Sequence, residues 1–155
     1  MDIVINASPL ILLSKINRLL LMNELFTAVY IPNAVLAEIQ AIDNAEAGVD
    51  LSEISFIPLS VSNKIAVEGL LGRLHIGEVE VIIGAVEKGI GTVVLDERAA
   101  RNKAKQLGLD VTGTLGILLK AKKRGLISEI NIEISNLKNA GMYLSDEVVS
   151  RILDI

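Results

Sequence analysis

Short apolar runs of strand character alternate along this chain with segments whose apolar residues recur at helical spacing, and this alternation constrains the fold most. The clearest strands are residues 3–5 and 92–95, both rich in β-branched side chains. Between them, residues 10–26 carry apolar side chains three or four positions apart. Strands that alternate with amphipathic helices predict an α/β fold in three layers, with a central parallel sheet covered by helices on both faces.

Turn and capping residues set the remaining elements. Further strands are predicted at residues 28–31, 55–59 and 109–111, and further helices over residues 34–42, 60–74, 77–88, 97–107, 114–124 and, as a pair, 128–155. Ser8 is the expected N-cap of the first helix with Pro9 at its first position, and Asn17 and Asn23 are the expected interruptions of that helix. Asn33 and Ser145 are expected to cap later helices. Residues 43–53 are polar enough for an exposed connection, and with no internal repeat or linker the chain is expected to form a single domain over residues 1–155.

Hydropathy argues against a membrane segment. The chain is 51% hydrophobic with a mean hydropathy of +0.52. Charges nevertheless interrupt every apolar stretch well before the roughly 20 residues that a membrane helix needs. An acidic residue, Asp2, stands where a secretory signal carries basic ones. We therefore expect a cytoplasmic protein.

The composition excludes several kinds of site. There is no cysteine and only one histidine, His75, so disulfides, thiolate nucleophiles, cysteine zinc sites and multi-histidine metal sites are all excluded. With two Phe, two Tyr, no Trp and a net charge of -4, the chain offers no surface that stacks successive bases on several rings, and no bulk electrostatic attraction to nucleic acid. Any contact with nucleic acid must be local.

Polar residues follow two of the predicted strands. Asn6 and Asp96 lie at carboxyl ends, where parallel sheets bind their ligands. Glu38 lies within a predicted helix and Glu78 at the start of another. Singly, each acid has an ordinary explanation: Asp96 as a helix N-cap, and Glu38, Glu78 and Glu80 on solvated helix faces. Together they supply the hard oxygen ligands that Mg²⁺ or Mn²⁺ prefers.

Basic residues follow Asp96 directly. Arg98, Arg101 and Lys105 share one face of the predicted helix, and they are suited to hold phosphates beside the acids. The alternative is a solvated face with salt bridges to Glu97. Nucleotide loops are excluded, because the Gly89 to Gly91 pair precedes a strand instead of following one, and the chain has no Gly-Lys-Ser/Thr triplet.

Five segments in order resemble the motifs of the PIN-domain family, the superfamily of VapC-like ribonucleases, and one PIN-like branch in particular. They are VINASPLI at 4–11, VLAEI at 35–39, LHIGEVEVI at 74–82, VLDERAAR at 94–101 and VTGTLG at 111–116. The resemblance covers nearly the whole chain. It implies a nuclease that uses Mg²⁺ or Mn²⁺ to cleave RNA, of the kind that serves as the toxin of a toxin–antitoxin pair. It also implies that two copies of the chain form a homodimer. The apolar content, more than one core of this size readily hides, agrees with a homodimer.

Position by position, the resemblance implies that Glu38, Glu78 and Asp96 are the second, third and fourth acidic residues of the catalytic site. Glu97 falls at an auxiliary metal position, and Ser8, where Ser or Thr is frequent, is implied to hydrogen-bond Asn6. Asn6 occupies the first position, which is usually aspartate. It keeps an oxygen for a metal but loses one negative charge. The alternative function is therefore an impaired PIN-like module that binds nucleic acid or protein. A phosphoacceptor signalling domain fits less well, because no lysine follows a late strand in the expected place.

Overall fold

The computed structural model describes residues 1–42 and 48–153. Its strands are β1 (Asp2–Ile5), β2 (Ala28–Pro32), β3 (Ile57–Leu59), β4 (Thr92–Val94) and β5 (Asp110–Thr112). Its helices are α1 (Ala7–Lys15), α2 (Leu21–Leu25), α3 (Asn33–Ala41), α4 (Lys64–Leu70), α5 (Ile76–Lys88), α6 (Arg98–Gln106), α7 (Thr114–Lys123), α8 (Ile130–Asn139) and α9 (Asp146–Leu153). A 3-10 turn covers Leu51–Glu53.

The strands form one five-stranded sheet in the order β3-β2-β1-β4-β5, and all of its pairs are parallel. β1 lies at the centre, where Val4 pairs with Tyr30 of β2 and with Val93 of β4. The predicted three-layer α/β/α fold is confirmed. The reversal of strand order beside β1 is the switch point at which such sheets bind ligands.

Burial follows from this arrangement. Ile3, Val4 and Ile5 are fully buried, as expected for a strand covered on both faces. On one side α5 packs on β1, β2 and β4 and contacts α3, α4 and α6. On the other, α7 contacts α1, α2 and α8, and α8 contacts α9. No helix among residues 1–42 and 48–153 has both the length and the apolar character needed to cross a bilayer.

The start of the first helix differs from the prediction. α1 begins at Ala7 with Asn6 as its N-cap residue, so Ser8 lies inside the first turn and does not cap the helix. The β1 ladder continues one residue past the strand, because the Asn6 amide donates to Val94 O at 3.1 Å. Pro9 fits the first turn because the first N–H groups of a helix have no intrahelical acceptor.

The expected interruptions of the first helix were right at one asparagine and wrong at the other. α1 ends before Asn17, which takes a left-handed conformation with φ 58°. Asn23 lies inside α2, and its side-chain amide forms two hydrogen bonds of 2.8 Å with the Ser55 backbone. Ser145 is confirmed as a cap, since its hydroxyl accepts from Val148 N at 3.2 Å. Of the expected connection, residues 43–47 lie outside the described residues.

Candidate functional site

The carboxyl ends of β1 and β4 are neighbours, so the residues that follow them share one rim of the sheet. Ile5 pairs with Val94, and the Leu95 amide donates to Thr112 O at 2.9 Å, which extends β4 toward Asp96. The expectation that Asn6 and Asp96 lie on the same rim is therefore confirmed. Strand pairing alone accounts for their position.

Hydrogen bonds from two elements fix the Asp96 carboxylate. The backbone amide of Thr114 donates to Oδ1 at 2.8 Å, and the Thr114 hydroxyl donates to Oδ2 at 2.7 Å. Ser8 donates its hydroxyl to the same Oδ2 at 3.3 Å. The sequence had implied a hydrogen bond from Ser8 to Asn6, but Ser8 bonds to Asp96. Thr114 is fully buried and begins α7, so the positive end of that helix also faces the carboxylate.

Asn6 and Glu38 approach each other beside Gly77. A Cβ atom on Gly77 would lie 3.3 Å from Asn6 Oδ1 and 3.5 Å from Glu38 Oε1. A side chain at this position would crowd Asn6 Oδ1, whereas the distance to Glu38 Oε1 is an ordinary contact. Asn6 is buried, and its Oδ1 has no hydrogen-bond partner among the described residues.

Glu78 is buried in the first turn of α5. Its Oε1 accepts from the His75 backbone amide at 3.0 Å, which closes the end of the helix as in a capping box. Its Oε2 is buried without a partner in the described part of the chain. His75 lies at the N-cap of α5 and is exposed.

Three of the acids open into one cavity of about 390 Å³. Its lining residues are Ser8, Ile11, Leu12, Glu38, Asp96, Glu97, Ala140, Gly141, Met142 and Tyr143. Glu97, the N-cap residue of α6, is exposed beside Asp96. The acids of the cavity therefore come from α3 and from residues 96–97 after β4, and the other lining residues come from α1 and the segment after α8.

The donor set suits Mg²⁺ or Mn²⁺, because every candidate ligand atom is a carboxylate or amide oxygen. The unpartnered oxygens of Asn6 and Glu78 are buried groups of the kind that a cation would satisfy. No three of the histidine and acidic side chains in residues 1–42 and 48–153 stand close enough together to hold an ion. Asp96 and Glu78 each accept a hydrogen bond from the backbone, and the polar side chain that lies with Glu38 beside Gly77 is the amide of Asn6.

Arg101 lies close to Asp96. Its Nη1 donates to Leu95 O at 2.8 Å, and a Cβ atom on Gly113 would lie 2.8 Å from both Arg101 Nη1 and Asp96 Oδ1. The guanidinium therefore supports the end of β4 and brings positive charge to the acids. Arg98, in the first turn of α6, is exposed to solvent.

Two supporting residues were missed from the sequence. Thr114 binds Asp96 through both its amide and its hydroxyl. Glu80 accepts from Ala34 N at 2.9 Å, so it caps α3, the helix that carries Glu38, from α5. Asn33, expected as that cap, is the first residue of α3 and donates to Ser60 Oγ at 2.9 Å instead. Thr114 could have been found from the sequence, because it is a hydroxyl residue that follows a strand and a glycine. Glu80 could not, because a cap supplied from another helix leaves no local sequence signal.

A family model described as PIN domain matches residues 2–155. A search of the curated proteins found no match.

Proposed function

The chain belongs to the PIN-domain family, a nuclease-type fold, and on that premise we propose that it is a divalent-metal-dependent endoribonuclease that hydrolyses phosphodiester bonds in single-stranded RNA. The observation that carries the proposal is the cavity that Glu38, Asp96 and Glu97 share. The unpartnered oxygens of Asn6 and Glu78 support it.

In this proposal Glu38, Glu78 and Asp96 hold Mg²⁺ or Mn²⁺ jointly, with Asn6 and Glu97 as further oxygen ligands. These residues would hold the ion, whose chemistry would be to lower the pKa of an attacking water and to offset charge on the phosphate, so that no Ser, Cys or His nucleophile would be needed.

The surrounding residues prepare the site. Thr114 and Ser8 fix the orientation of the Asp96 carboxylate through their hydrogen bonds. Arg101 supports the strand end from which Asp96 projects. Arg98 is exposed on the first turn of α6, where a phosphate would offset the unfavourable position of a cation near a helix N-terminus. Ser8, Arg98 and Arg101 are thus the proposed substrate-binding residues.

The proposed cellular role is that of a cytoplasmic toxin whose activity an antitoxin protein restrains. It rests on the family alone. A small reading frame beside this gene, whose product binds the purified protein and stops RNA cleavage, would support the role. A neighbouring product that neither binds nor inhibits would leave the nuclease without this partner.

A second candidate function is a PIN-like module that binds nucleic acid or protein without cutting it. Asn6 favours this function, because it removes one carboxylate from the family pattern. The separation of the remaining acids also favours it. The two candidates differ in whether the protein turns over RNA.

The deciding experiment is cleavage of single-stranded RNA in Mn²⁺ by the parent protein and by Asp96→Asn. Asparagine keeps the shape of Asp96 but removes its charge, so we expect the cleavage rate to fall by about a hundredfold or more. Loss of a residue that only hydrogen-bonds a metal ligand already costs up to about a hundredfold. Glu68→Gln is the matched control, since Glu68 is an exposed residue of α4. Equal activity in all three proteins would mean that the pocket is not a nuclease site, and the binding module would replace the enzyme.

Metal binding is tested separately by calorimetric titration with Mn²⁺. We expect Glu38→Gln, Glu78→Gln and Asp96→Asn each to weaken binding, while Glu68→Gln does not. If Glu78→Gln and Asp96→Asn bound the ion as well as the parent, the site would have to lie elsewhere.

A further inference from the structure

Tyr143 stands out among the aromatic residues because it is exposed at the rim of the acidic cavity. The chain has two tyrosines and two phenylalanines. Phe26 is buried, Tyr30 and Phe56 are partly buried against the core, and Tyr143 is 87% exposed. It lines the same cavity as Glu38, Asp96 and Glu97. A single exposed ring is ordinary on a protein surface, but its position beside three carboxylates is not explained by packing.

The backbone on either side of Tyr143 is held in place. After α8, Gly141 takes a left-handed conformation with φ 105°, its amide donates to Lys138 O at 3.0 Å, and the Met142 amide donates to Leu137 O at 3.0 Å. This pair of bonds is a Schellman motif. Met142 and Leu144 both pack against the core. The ring is therefore presented to solvent from a fixed point.

The cavity has two chemically different sides. Glu38, Asp96 and Glu97 form an acidic side, whereas Leu12, Met142 and Tyr143 form an apolar side. A nucleotide has the same division, with a charged phosphate at one end and a flat apolar base at the other. The cavity of about 390 Å³ is at the lower end of the range for small-ligand sites, which suits one nucleotide unit and not a duplex.

We propose that Tyr143 forms a base-binding subsite, in which its ring stacks on a nucleobase next to the phosphate that is held at the acidic side. The proposal rests on the proposed ribonuclease function. Tyrosine suits this role because its ring gives a large flat contact for the loss of only two rotatable bonds. Stacking on a π-face accepts every base, so the subsite would position single-stranded RNA with little selection of sequence.

The test compares three substitutions of Tyr143 in cleavage of single-stranded RNA with Mn²⁺. Tyr143→Ala removes the ring, and we expect KM to rise about tenfold or more, the size of one lost base stack, with little change in kcat. Tyr143→Phe keeps the ring and should retain the parent KM. Tyr143→Leu keeps apolar area without a ring and should resemble alanine. Ile132→Ala is the matched control, because Ile132 is 58% exposed on α8 and does not line the cavity.

An abasic substrate separates stacking from a structural role. Single abasic sites are introduced along the RNA, and at one position we expect the parent to lose affinity as much as Tyr143→Ala does on intact RNA. At that position the substitution should cause no further loss, because the two changes remove the same contact. Additive losses at every position would overturn the subsite.

Binding of the same RNA, measured by fluorescence anisotropy in Mn²⁺, separates failure of the subsite from failure of the enzyme. If the parent cleaves RNA and Tyr143→Ala has the parent KM, the subsite is wrong and the nuclease stands. If the parent does not cleave but binds RNA in a way that depends on the ring of Tyr143, the nuclease is wrong and the subsite stands. If the parent binds no RNA, both are wrong.

Discussion

The Asn6 amide oxygen is buried beside Glu38 without a hydrogen-bond partner among the described residues. A buried oxygen without a partner has lost its hydrogen bonds to water, and this loss costs folding free energy. A bound cation would offset that cost. Asparagine offers the oxygen without adding a second negative charge close to Glu38. Compared with aspartate at this position, Asn6 therefore lowers the charge repulsion with Glu38 in the metal-free protein, and it also weakens the attraction for a divalent ion.

Replacing Asn6 with aspartate should reverse both effects. We expect Asn6→Asp to bind Mn²⁺ about tenfold more tightly or better, because ligand charge tunes cation affinity, and to cleave RNA faster than the parent. Without metal the variant should be less stable, by about 1 to 3 kcal/mol, since a buried carboxylate would face Glu38 unpaired. Calorimetry, cleavage assays and urea unfolding with and without Mn²⁺ measure the three quantities.

The control for this variant is Asn136→Asp, which adds the same charge on an exposed position of α8. If Asn6→Asp behaved like Asn136→Asp in all three measurements, Asn6 would only join β1 to α1, and the first family position would have no part in metal binding.

The Thr114 hydroxyl provides a second test at the residue scale. Thr114→Val keeps the shape of the buried side chain and the backbone bond to Asp96, but it removes the donor at 2.7 Å from Oδ2. Loss of a group that orients a metal ligand costs about 10- to 100-fold in metal affinity or activity, and we expect a fall of that size here. Thr114→Ser keeps the hydroxyl and should stay near the parent. A valine variant with full activity would show that Ser8 and the backbone suffice to hold Asp96.

Among the elements, those with a strong local pattern were predictable and those set by distant contacts were not. β1, β4 and α5 carry long apolar patterns, and their predicted positions agree with the structure to within a residue or two. The start of α1 was misplaced because a hydroxyl that resembles a cap, Ser8, bonds instead to Asp96. Asn23 resembled a helix breaker, but its side chain bonds to Ser55, which is 32 residues away in sequence. Local sequence propensity cannot predict these hydrogen bonds, because their partners are distant in sequence.

Helix α3 depends on a cap supplied by α5. Glu80 accepts the Ala34 amide at 2.9 Å, and Glu38 lies one turn further along the same helix. We expect Glu80→Ala to destabilise the protein by about 1 kcal/mol, the usual cost of a lost helix cap, and to weaken Mn²⁺ binding through Glu38. Urea unfolding and calorimetry measure these effects. Glu68→Ala, an exposed substitution on α4, controls for helix propensity. Equal unfolding midpoints for the two variants would contradict the capping role.

The start of α4 is tied to the end of α5 through Glu87. The Glu87 carboxylate accepts the backbone amides of Ser62 and Asn63, and these bonds hold the pKa of Glu87 below its ordinary value of 4.5. A carboxyl whose pKa is lowered by folding stabilises the protein above the unfolded-state pKa and loses this effect as pH falls through the folded-state pKa. We therefore expect Glu87→Gln to be less stable than the parent at about pH 6, and the difference to shrink toward about pH 3. A difference that stayed constant with pH would contradict this role.

At the scale of the whole molecule, the site exists because of strand order. Asn6 and Asp96 are 90 residues apart, yet β1 and β4 pair directly, which brings both residues to one rim. Their place on one rim was predictable, because both residues follow predicted strands of a parallel sheet. The spacing of the acids did not, because it depends on how α3 and α5 meet beside Gly77 and on which backbone amides engage Asp96 and Glu78. The sequence could therefore nominate the residues but not the distances between them.

The last prediction concerns assembly, and it starts from three exposed apolar side chains in β3 and in the helices α4 and α5. Ile57 of β3, Ile65 of α4 and Val86 of α5 are 45%, 85% and 51% exposed. α4 packs on α5, and among the described residues β3 has a sheet partner on one side only. Exposed apolar side chains that form one contiguous patch mark an association surface. We predict that the chain forms a homodimer through this edge.

Sedimentation at micromolar concentration tests the dimer and its location together. We expect the parent to sediment at twice its chain mass of 16.6 kDa. Ile65→Glu should sediment as a monomer, because dimer formation would bury an unpaired charge, and burial of that kind is strongly unfavourable. Ile132→Glu is the matched control: Ile132 is 58% exposed on α8, which packs on α7 and α9 away from the β3 edge, so this variant should remain dimeric. A single parent species of one chain mass would refute the homodimer. A dimer that survives Ile65→Glu but is lost in Ile132→Glu would move the interface to the α8 side.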